Sequence, residues 1–324
     1  MDNTIKRIGV LTSGGDAPGM NAAVRAVVRT ALGRGIEVIG IRRGWHGLVF
    51  GDFFQMESKD VSHILNAGGT MLYTARCPEF TTEEGQQKAV GTCRLLGLDG
   101  VVAIGGDGTF RGALDLSRHG VPVVGIPATI DNDIGCTNYT IGFDTACNTA
   151  VNCIDKLRDT MQAHERCSVV EVMGRHAGFL ALYVGLAVGA TAVLIPERGF
   201  DFERDLAEPI RRKRLSGATH FMIVVAEGVG SAMEISEMLK EKMGIDPRVT
   251  VLGHIQRGGS PNARDREIAA RMGYAAVVAL AEGRSNLIVC TRGGYLVETP
   301  IEEALQMKKH LQMDRYEVLE AMQR

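Results

Sequence analysis

The segment "TIDND", residues 129–133, follows the apolar run "VPVVGIPA" and carries two carboxylates two positions apart. Side chains alternate along an extended chain, so extended backbone here would turn Asp131 and Asp133 to one side. A carboxylate so placed can take the proton from an attacking hydroxyl, the base role of phosphoryl transfer. The same residues can instead close an Asx turn on their own backbone, which suits Asp133 better than Asp131. Two glycine motifs could hold phosphates for such a base. "TSGGDAPG", residues 12–19, leads from an apolar run into a helical pattern. Its bared N–H groups and the following helix start can cradle a phosphate, or simply close a turn. "GGDGT", residues 105–109, repeats the device and adds Asp107. That carboxylate is a hard oxygen ligand suited to a Mg²⁺ ion bridging nucleotide phosphates, or a cap for the next helix. Neither motif is a Walker A or a G-x-G-x-x-G loop.

Arginines recur where strand-like runs begin and end: Arg166, Arg175, Arg248 and Arg257. Their planar forks suit bidentate recognition of a dianionic phosphate ester, although any single arginine also reads as a surface residue. Glu227 ends "IVVAEG" and can accept hydrogen bonds from sugar hydroxyls or mark a helix start. Arg25 and Arg29 lie one helical turn apart and could share an anion or only solvent.

These residues need rigid elements to carry them. Continuous β-branched runs alternate with helical patterns from "RIGVLT" to "SNLIVCTRG". Such runs are strands covered on both faces, and βαβ alternation means parallel sheets with ligands at the strand C-termini. The expected class is α/β, in two lobes with the site in the cleft. The first helix should bury Met20, Val24, Val27, Val28 and Ala31. A chain of 324 residues exceeds one ordinary core. Net charge is −2, so no global field draws the chain to nucleic acid. Seven cysteines, an odd number without a C-x-x-C, suggest neither a disulfide framework nor a zinc site and suit a reducing cytoplasm. The N-terminal residues lack a signal-peptide pattern. Residues 177–195 are uncharged and long enough to span a bilayer, but glycines break the run into a buried helix and a buried strand. No membrane partner is expected.

Taken together, "IGVLTSGGDAPGMNAA", "GGDGT", "TIDNDI", "SVVEVMGR" and "VLGHIQRGGSP" resemble the ATP-dependent 6-phosphofructokinases of bacterial type, over essentially the whole chain. The resemblance implies two three-layer α/β/α domains with mostly parallel sheets, the chain crossing between them more than once, and a homotetramer. It implies an ATP-binding domain of residues 1–139 and 252–304, and a fructose 6-phosphate domain of residues 140–251 and 305–324. Gly15, Arg76, Cys77 and Gly106, Asp107, Gly108 and Thr109 would hold ATP, with Asp107 on Mg²⁺. Asp131 would be the base, with Thr129, Arg175 and Arg76 near the transferring group. Fructose 6-phosphate would meet Thr129, Ile130, Asp131, Met173, Gly174, Arg175, Glu227, His254, Ile255, Gln256 and Arg257. Arg166 and Arg248 would come from a neighbouring subunit. Trp45 would stack near the nucleotide.

The sequence departs from the family in places. Cys77 and Thr81 replace an aromatic and a basic residue. Arg25, Arg29, Arg158 and His220 match the family's effector site, but Thr191 stands where an acidic residue is usual. Ser216 and Ala218 replace two lysines, which implies muted control by ADP and phosphoenolpyruvate. Pyrophosphate-dependent relatives carry an acidic residue at the position of Gly108 and a lysine at that of Ala128. The small residues found here leave room for a nucleoside. A non-catalytic sugar-phosphate sensor is the rival of another class, and it should have lost Asp131 or Asp107.

Overall fold

The computed structural model describes residues 5–322. The outermost residues of the two expected domains, and the first part of the N-terminal reading, lie outside the described residues. From the N-terminus run β1 (Arg7–Thr12), α1 (Met20–Gly33), β2 (Glu37–Ile41), α2 (Trp45–Phe50), β3 (Phe53–Met56), α3 (Glu83–Leu95), β4 (Gly100–Gly105), α4 (Asp107–Arg118) and β5 (Val123–Pro127). Then come α5 (Phe143–Ala163), β6 (Cys167–Val172), α6 (Phe179–Ala187), β7 (Ala192–Leu194), α7 (Glu208–Leu215), β8 (Phe221–Ala226), α8 (Ala232–Met243) and β9 (Arg248–Val251). The last stretch holds α9 (Ala263–Ala281), β10 (Leu287–Arg292), β11 (Tyr295–Pro300), α10 (Ile301–Ala304) and α11 (Asp314–Met322).

The chain divides into two compact units. The first comprises the residues up to Ile130, Ile134–Thr145 and Arg257–Lys309. The second comprises Asp131–Asp133, Ala146–Gln256 and the residues from His310 onward. The chain therefore changes unit at the acidic segment itself, between Ile130 and Asp131.

The first unit is built on a seven-stranded sheet of order β11-β10-β5-β4-β1-β2-β3. Its interior pairs are parallel, while β3 and β11 close the edges antiparallel. The interior runs bury both faces. Leu11, Val101, Ala103 and Val123 join a core with Phe110 and Leu116 of α4, and the alternate residues Val10, Val102 and Val124 are buried equally. Helices α1 and α9 pack together, and α1 buries the apolar face expected from the sequence. The second unit holds a four-stranded parallel sheet of order β7-β8-β6-β9. Its core joins Val169, Ile223 and Val225 to Ile235 and Leu239 of α8. The uncharged stretch 177–195 divides into α6 and β7, and no helix among the described residues is long and apolar enough to cross a membrane.

One buried carboxylate organises a corner of the first unit. Asp265, in the first turn of α9, is 0% exposed. It accepts hydrogen bonds from the Tyr139 hydroxyl, the Gly142 N–H at 2.7 Å, the Thr145 N–H at 2.9 Å and the Thr145 hydroxyl. The two N–H groups belong to the start of α5, which gains an anionic cap. Burial pushes the Asp265 carboxyl above the usual carboxylate range, against the opposing pull of these bonds. Asp265→Ala leaves four buried donors unmet and should cost about 3–5 kcal/mol. Tyr139→Phe removes one donor and should cost about 1–2 kcal/mol. Chemical denaturation of both variants checks the order; equal losses would show that the carboxylate is not the hub.

Candidate active site

In the first sheet β1 and β4 are neighbours, yet β1 continues toward β2 and β4 toward β5, on opposite sides. A crevice opens where parallel strands part in this way, at their C-terminal ends, and ligands of open α/β sheets bind there. Both glycine motifs sit at this point. "TSGGD" leaves β1 and "GGDGT" leaves β4. They are stitched together: the Ser13 N–H donates to the Ile104 carbonyl at 3.0 Å, and the Thr109 hydroxyl donates to the Ser13 carbonyl at 3.0 Å. This closeness requires glycine at 105, where a Cβ would collide with the Thr109 hydroxyl and the Ser13 carbonyl.

Asp107 is the first residue of α4, and Gly106 before it is the N-cap, with no side-chain cap bond. The carboxylate therefore stands at the positive end of α4. No group of three or more acidic, histidine or cysteine side chains forms a metal cage among the described residues. One carboxylate beside a phosphate cradle is nonetheless how Mg²⁺ is commonly held, since it draws most other ligands from phosphates and water. Gly108 is exposed, and a Cβ there would meet nothing within 4 Å. Protein packing does not demand glycine at 108; what glycine leaves there is open space. Ala128 behaves differently from expectation. It is 1% exposed, so its methyl packs against protein rather than bordering open space. The open space lies at Gly108 alone of these two positions.

Loop 67–77 is fastened to the end of β1, and beyond its anchors Arg76 is exposed and Cys77 half-buried. Burial pushes the Cys77 thiol up. Gly15 lies under Arg257, whose guanidinium donates to the Asp16 carbonyl at 3.1 Å. Arg257 thus belongs with the glycine turn of the first unit. Trp45 is not available to a nucleotide: it is 6% exposed and stacks on Phe80 at 4.8 Å within the core of that unit.

Residues 129–133 do not form the extended run that would align the two acids. Asn132 has φ +52°, a left-handed conformation that asparagine tolerates better than most residues. This bend breaks the alternation. Asp131 is 3% exposed, whereas Asp133 is half-buried. Before the bend, the Ala128 N–H donates to the Gly105 carbonyl at 2.9 Å, and the Thr140 hydroxyl donates to the Thr129 carbonyl at 2.7 Å. Ile130 is buried.

In the second unit the C-terminal ends of β6 and β8 gather the other candidates. Arg175 takes φ +54°, beside Gly174 at φ +138°. Glu227 holds this turn: its carboxylate accepts the Gly174 N–H at 3.1 Å and the Arg175 N–H at 2.7 Å. A helix-start role for Glu227 is excluded, because α8 begins at Ala232 behind a Ser231–Glu234 capping box. The Arg175 Nε lies 3.7 Å from Asp131 Oδ2, so guanidinium and carboxylate face each other within this unit. Arg175, His176, Glu227 and Gly228 line an open pocket. Gln256, fully buried, accepts the Met173 N–H at 3.4 Å and donates to the Gly253 carbonyl at 3.0 Å, so its side chain supports the turn rather than meeting solvent. His254 and Ile255, by contrast, are exposed.

Arg166 and Arg248 are placed elsewhere. Both stand at the N-terminal ends of their strands, β6 and β9, while Arg175 follows the C-terminal end of β6. A six-residue strand separates these ends by about 20 Å. Within one chain the arginines do not converge on one phosphate. The effector candidates also divide, Arg25 and Arg29 in the first unit, Arg158 and His220 in the second. Arg29 donates to Ser62 at 3.2 Å, and Arg158 donates to the Val188 carbonyl. Thr191 is buried and accepts the Met222 N–H at 3.2 Å.

Sequence reasoning took Thr12 only as the start of the first glycine motif and missed Asn21 and Asp265; all three are buried and hydrogen-bonded. A signal existed. Asn21 sits on the apolar face of α1, and Asp265 shares a face with Ile268 and Met272 of α9. A polar side chain on a buried face must find partners.

The family profile described as Phosphofructokinase matches residues 7–280. The chain is 53% identical over 314 residues to the ATP-dependent 6-phosphofructokinase of Shouchella clausii (strain KSM-K16), covering 97% of this chain and 98% of that protein. It is 50% identical over 314 residues to the ATP-dependent 6-phosphofructokinase of Clostridium botulinum, covering the same shares. Its fold superposes on phosphofructokinase from Saccharomyces cerevisiae with a TM-score of 0.87 and 35% identity, spanning 98% of this chain and 46% of the yeast chain. With its glycine turns, acidic bend and strand-end arginine on the fold described above, the chain belongs to the phosphofructokinase family.

Proposed function

We propose that this protein transfers the γ-phosphoryl group of ATP to the 1-hydroxyl of fructose 6-phosphate, giving fructose 1,6-bisphosphate and ADP in glycolysis. The observation that carries a phosphoryl-transfer reading is the meeting of two glycine turns and Asp107 at the β1–β4 crevice. Near-full-length likeness to ATP-dependent 6-phosphofructokinases supports the choice of substrates. The exposed, uncontacted Gly108 supports a nucleotide over pyrophosphate.

Gly15, Gly106, Gly108 and Thr109 cradle the phosphates of ATP, and Arg76 and Cys77 complete the donor site. Asp107 would be the protein's ligand to Mg²⁺, which would supply charge neutralisation for the donor phosphates. Asp131 takes the proton of the attacking hydroxyl. Thr129 and Arg175 lie with the transferring group, where a cation meets charge that develops in the transition state. Glu227 acts on the sugar phosphate chiefly by holding the Gly174–Arg175 turn. Met173, His254, Ile255 and Arg257 complete the sugar-phosphate set, with the buried Ile130 and Gln256 supporting it. The distance along β6 supports a role for Arg166 and Arg248 toward a neighbouring copy, in a cytoplasmic homotetramer.

Regulation by ADP and phosphoenolpyruvate is muted in this reading. The Thr191 hydroxyl is engaged with β8, and the Ser216 hydroxyl donates to the Lys213 carbonyl at 2.8 Å, so neither replaces the charge the family places there. A steady-state assay varying the phosphoryl donor tests the whole reading. ATP should support turnover and pyrophosphate should not, with a shallow response to added phosphoenolpyruvate at low fructose 6-phosphate. Activity with pyrophosphate alone would end it. Asp131→Ser should lower kcat by about a hundredfold to ten-thousandfold with KM values roughly unchanged. An unaltered kcat would remove Asp131 from the base role.

A further inference from the structure

The donor site described above depends on a loop with no regular secondary structure of its own. Residues 67–77 run from Ala67 to Cys77 and deliver Arg76. What fixes this loop is a polar seam along the end of β1 and the start of α1.

Thr12 is the last residue of β1 and is 0% exposed. Its hydroxyl lies 2.8 Å from the Thr70 hydroxyl and donates to the Tyr73 carbonyl at 2.9 Å. Having spent its proton on Tyr73, it accepts that of Thr70. Asn21 supplies the neighbouring stitches. Its amide donates to the Ala67 and Gly69 carbonyls at 3.0 and 2.7 Å, and its oxygen accepts the Met71 N–H at 2.8 Å. The Thr74 hydroxyl then donates to the Gly14 carbonyl, joining the loop to the glycine turn itself. Tyr73 between these anchors takes φ +57°, a conformation costly for an aromatic residue unless its surroundings impose it. Past Cys77, Phe80 is seated against Trp45. Arg76 thus hangs between anchors at 74 and 80; upstream of it the loop is held by the Thr12 hydroxyl, the Asn21 amide, the Gly14 carbonyl and the Arg43 N–H, which donates to the Leu72 carbonyl at 2.8 Å.

Of Thr12 and Asn21, Thr12 is the sharper. It directly precedes Ser13, Gly14 and Gly15, so one residue ends the strand, opens the phosphate turn and grips the Arg76 loop. No water reaches it to replace a lost partner.

Resting on the ATP-dependent reading above, we propose that Thr12 is a positioning residue for phosphoryl transfer, its hydroxyl setting Arg76 against the glycine turn. Thr12→Val keeps the shape and removes the hydroxyl, leaving the Tyr73 carbonyl and Thr70 hydroxyl without it. Thr12→Ser keeps the hydroxyl.

The test is a double-mutant cycle with Arg76→Ala, read as kcat and as KM for each substrate well below the thermal midpoint. Thr12→Val should lower kcat by about tenfold and raise KM for ATP, with KM for fructose 6-phosphate within about twofold. Thr12→Ser should recover most of the loss. In the Arg76→Ala background, Thr12→Val should cost little more, because its effect runs through Arg76. Trp45, the single tryptophan, gives a readout apart from activity: its emission should shift in Thr12→Val as the loop leading to Phe80 loosens. A lower thermal midpoint with unchanged kcat and KM would make Thr12 structural only and overturn the inference. Fully additive losses, or equal impairment of the Val and Ser variants, would overturn it too. A wild-type chain inert with ATP would instead sink the functional reading on which the inference rests.

Discussion

Two parallel strands lie side by side and their chains leave in opposite directions. That parting of β1 and β4 is the constraint on which the first unit depends. It opens a crevice at the strand ends, and it also forces two polar turns into close contact there. Glycine at 105 lets them touch, and the Thr109–Ser13 bond holds them. The helix that follows one of these turns starts with Asp107, so a carboxylate arrives beside the bared amides without any insertion or special loop. Chemistry at this point is a consequence of strand order, with the residue types added to it.

The second unit solves a different problem. There a guanidinium faces a carboxylate, and the chain brings them together by bending backbone rather than by extending a side chain from a regular element. Arg175 is held at positive φ by two N–H bonds to the Glu227 carboxylate. Asp131 faces Arg175 after a bend of its own, at Asn132. Both groups are therefore placed by left-handed backbone, which the Glu227 carboxylate holds at Arg175 and an asparagine accommodates beside Asp131. Such strain is common where a fold must present a reactive group in one orientation.

Much of this was legible in the sequence. Most strand runs stood out because both faces of their strands are buried, so apolar residues are continuous; β9 is partly exposed and stood out by its β-branched residues. The edge strands β3 and β11 did not, because "FFQM" is short and "YLVETP" is mixed. The glycine turns were legible because the positive φ at Gly14 and the close approach of the two turns at Gly105 need glycine. Other features depend on partners distant in sequence. The bend at Asn132 looks extended until its φ is known. Trp45 looks like an exposed platform until Phe80 and Gly112 close on it. Arg166 and Arg175 look like one cluster by number, yet a strand length separates them. Asp265 gathers its donors from residues 139–145, which no local pattern connects to it.

In the proposed reaction the phosphoryl group passes directly from ATP to a sugar hydroxyl deprotonated by Asp131. The most direct measurement is the stereochemical course of the reaction, using ATP whose γ-phosphorus is made chiral with oxygen isotopes. A single in-line displacement with Asp131 as base predicts inversion at phosphorus in the fructose 1,6-bisphosphate formed. Retention would mean two displacements through a phosphorylated side chain, and would contradict the role given to Asp131.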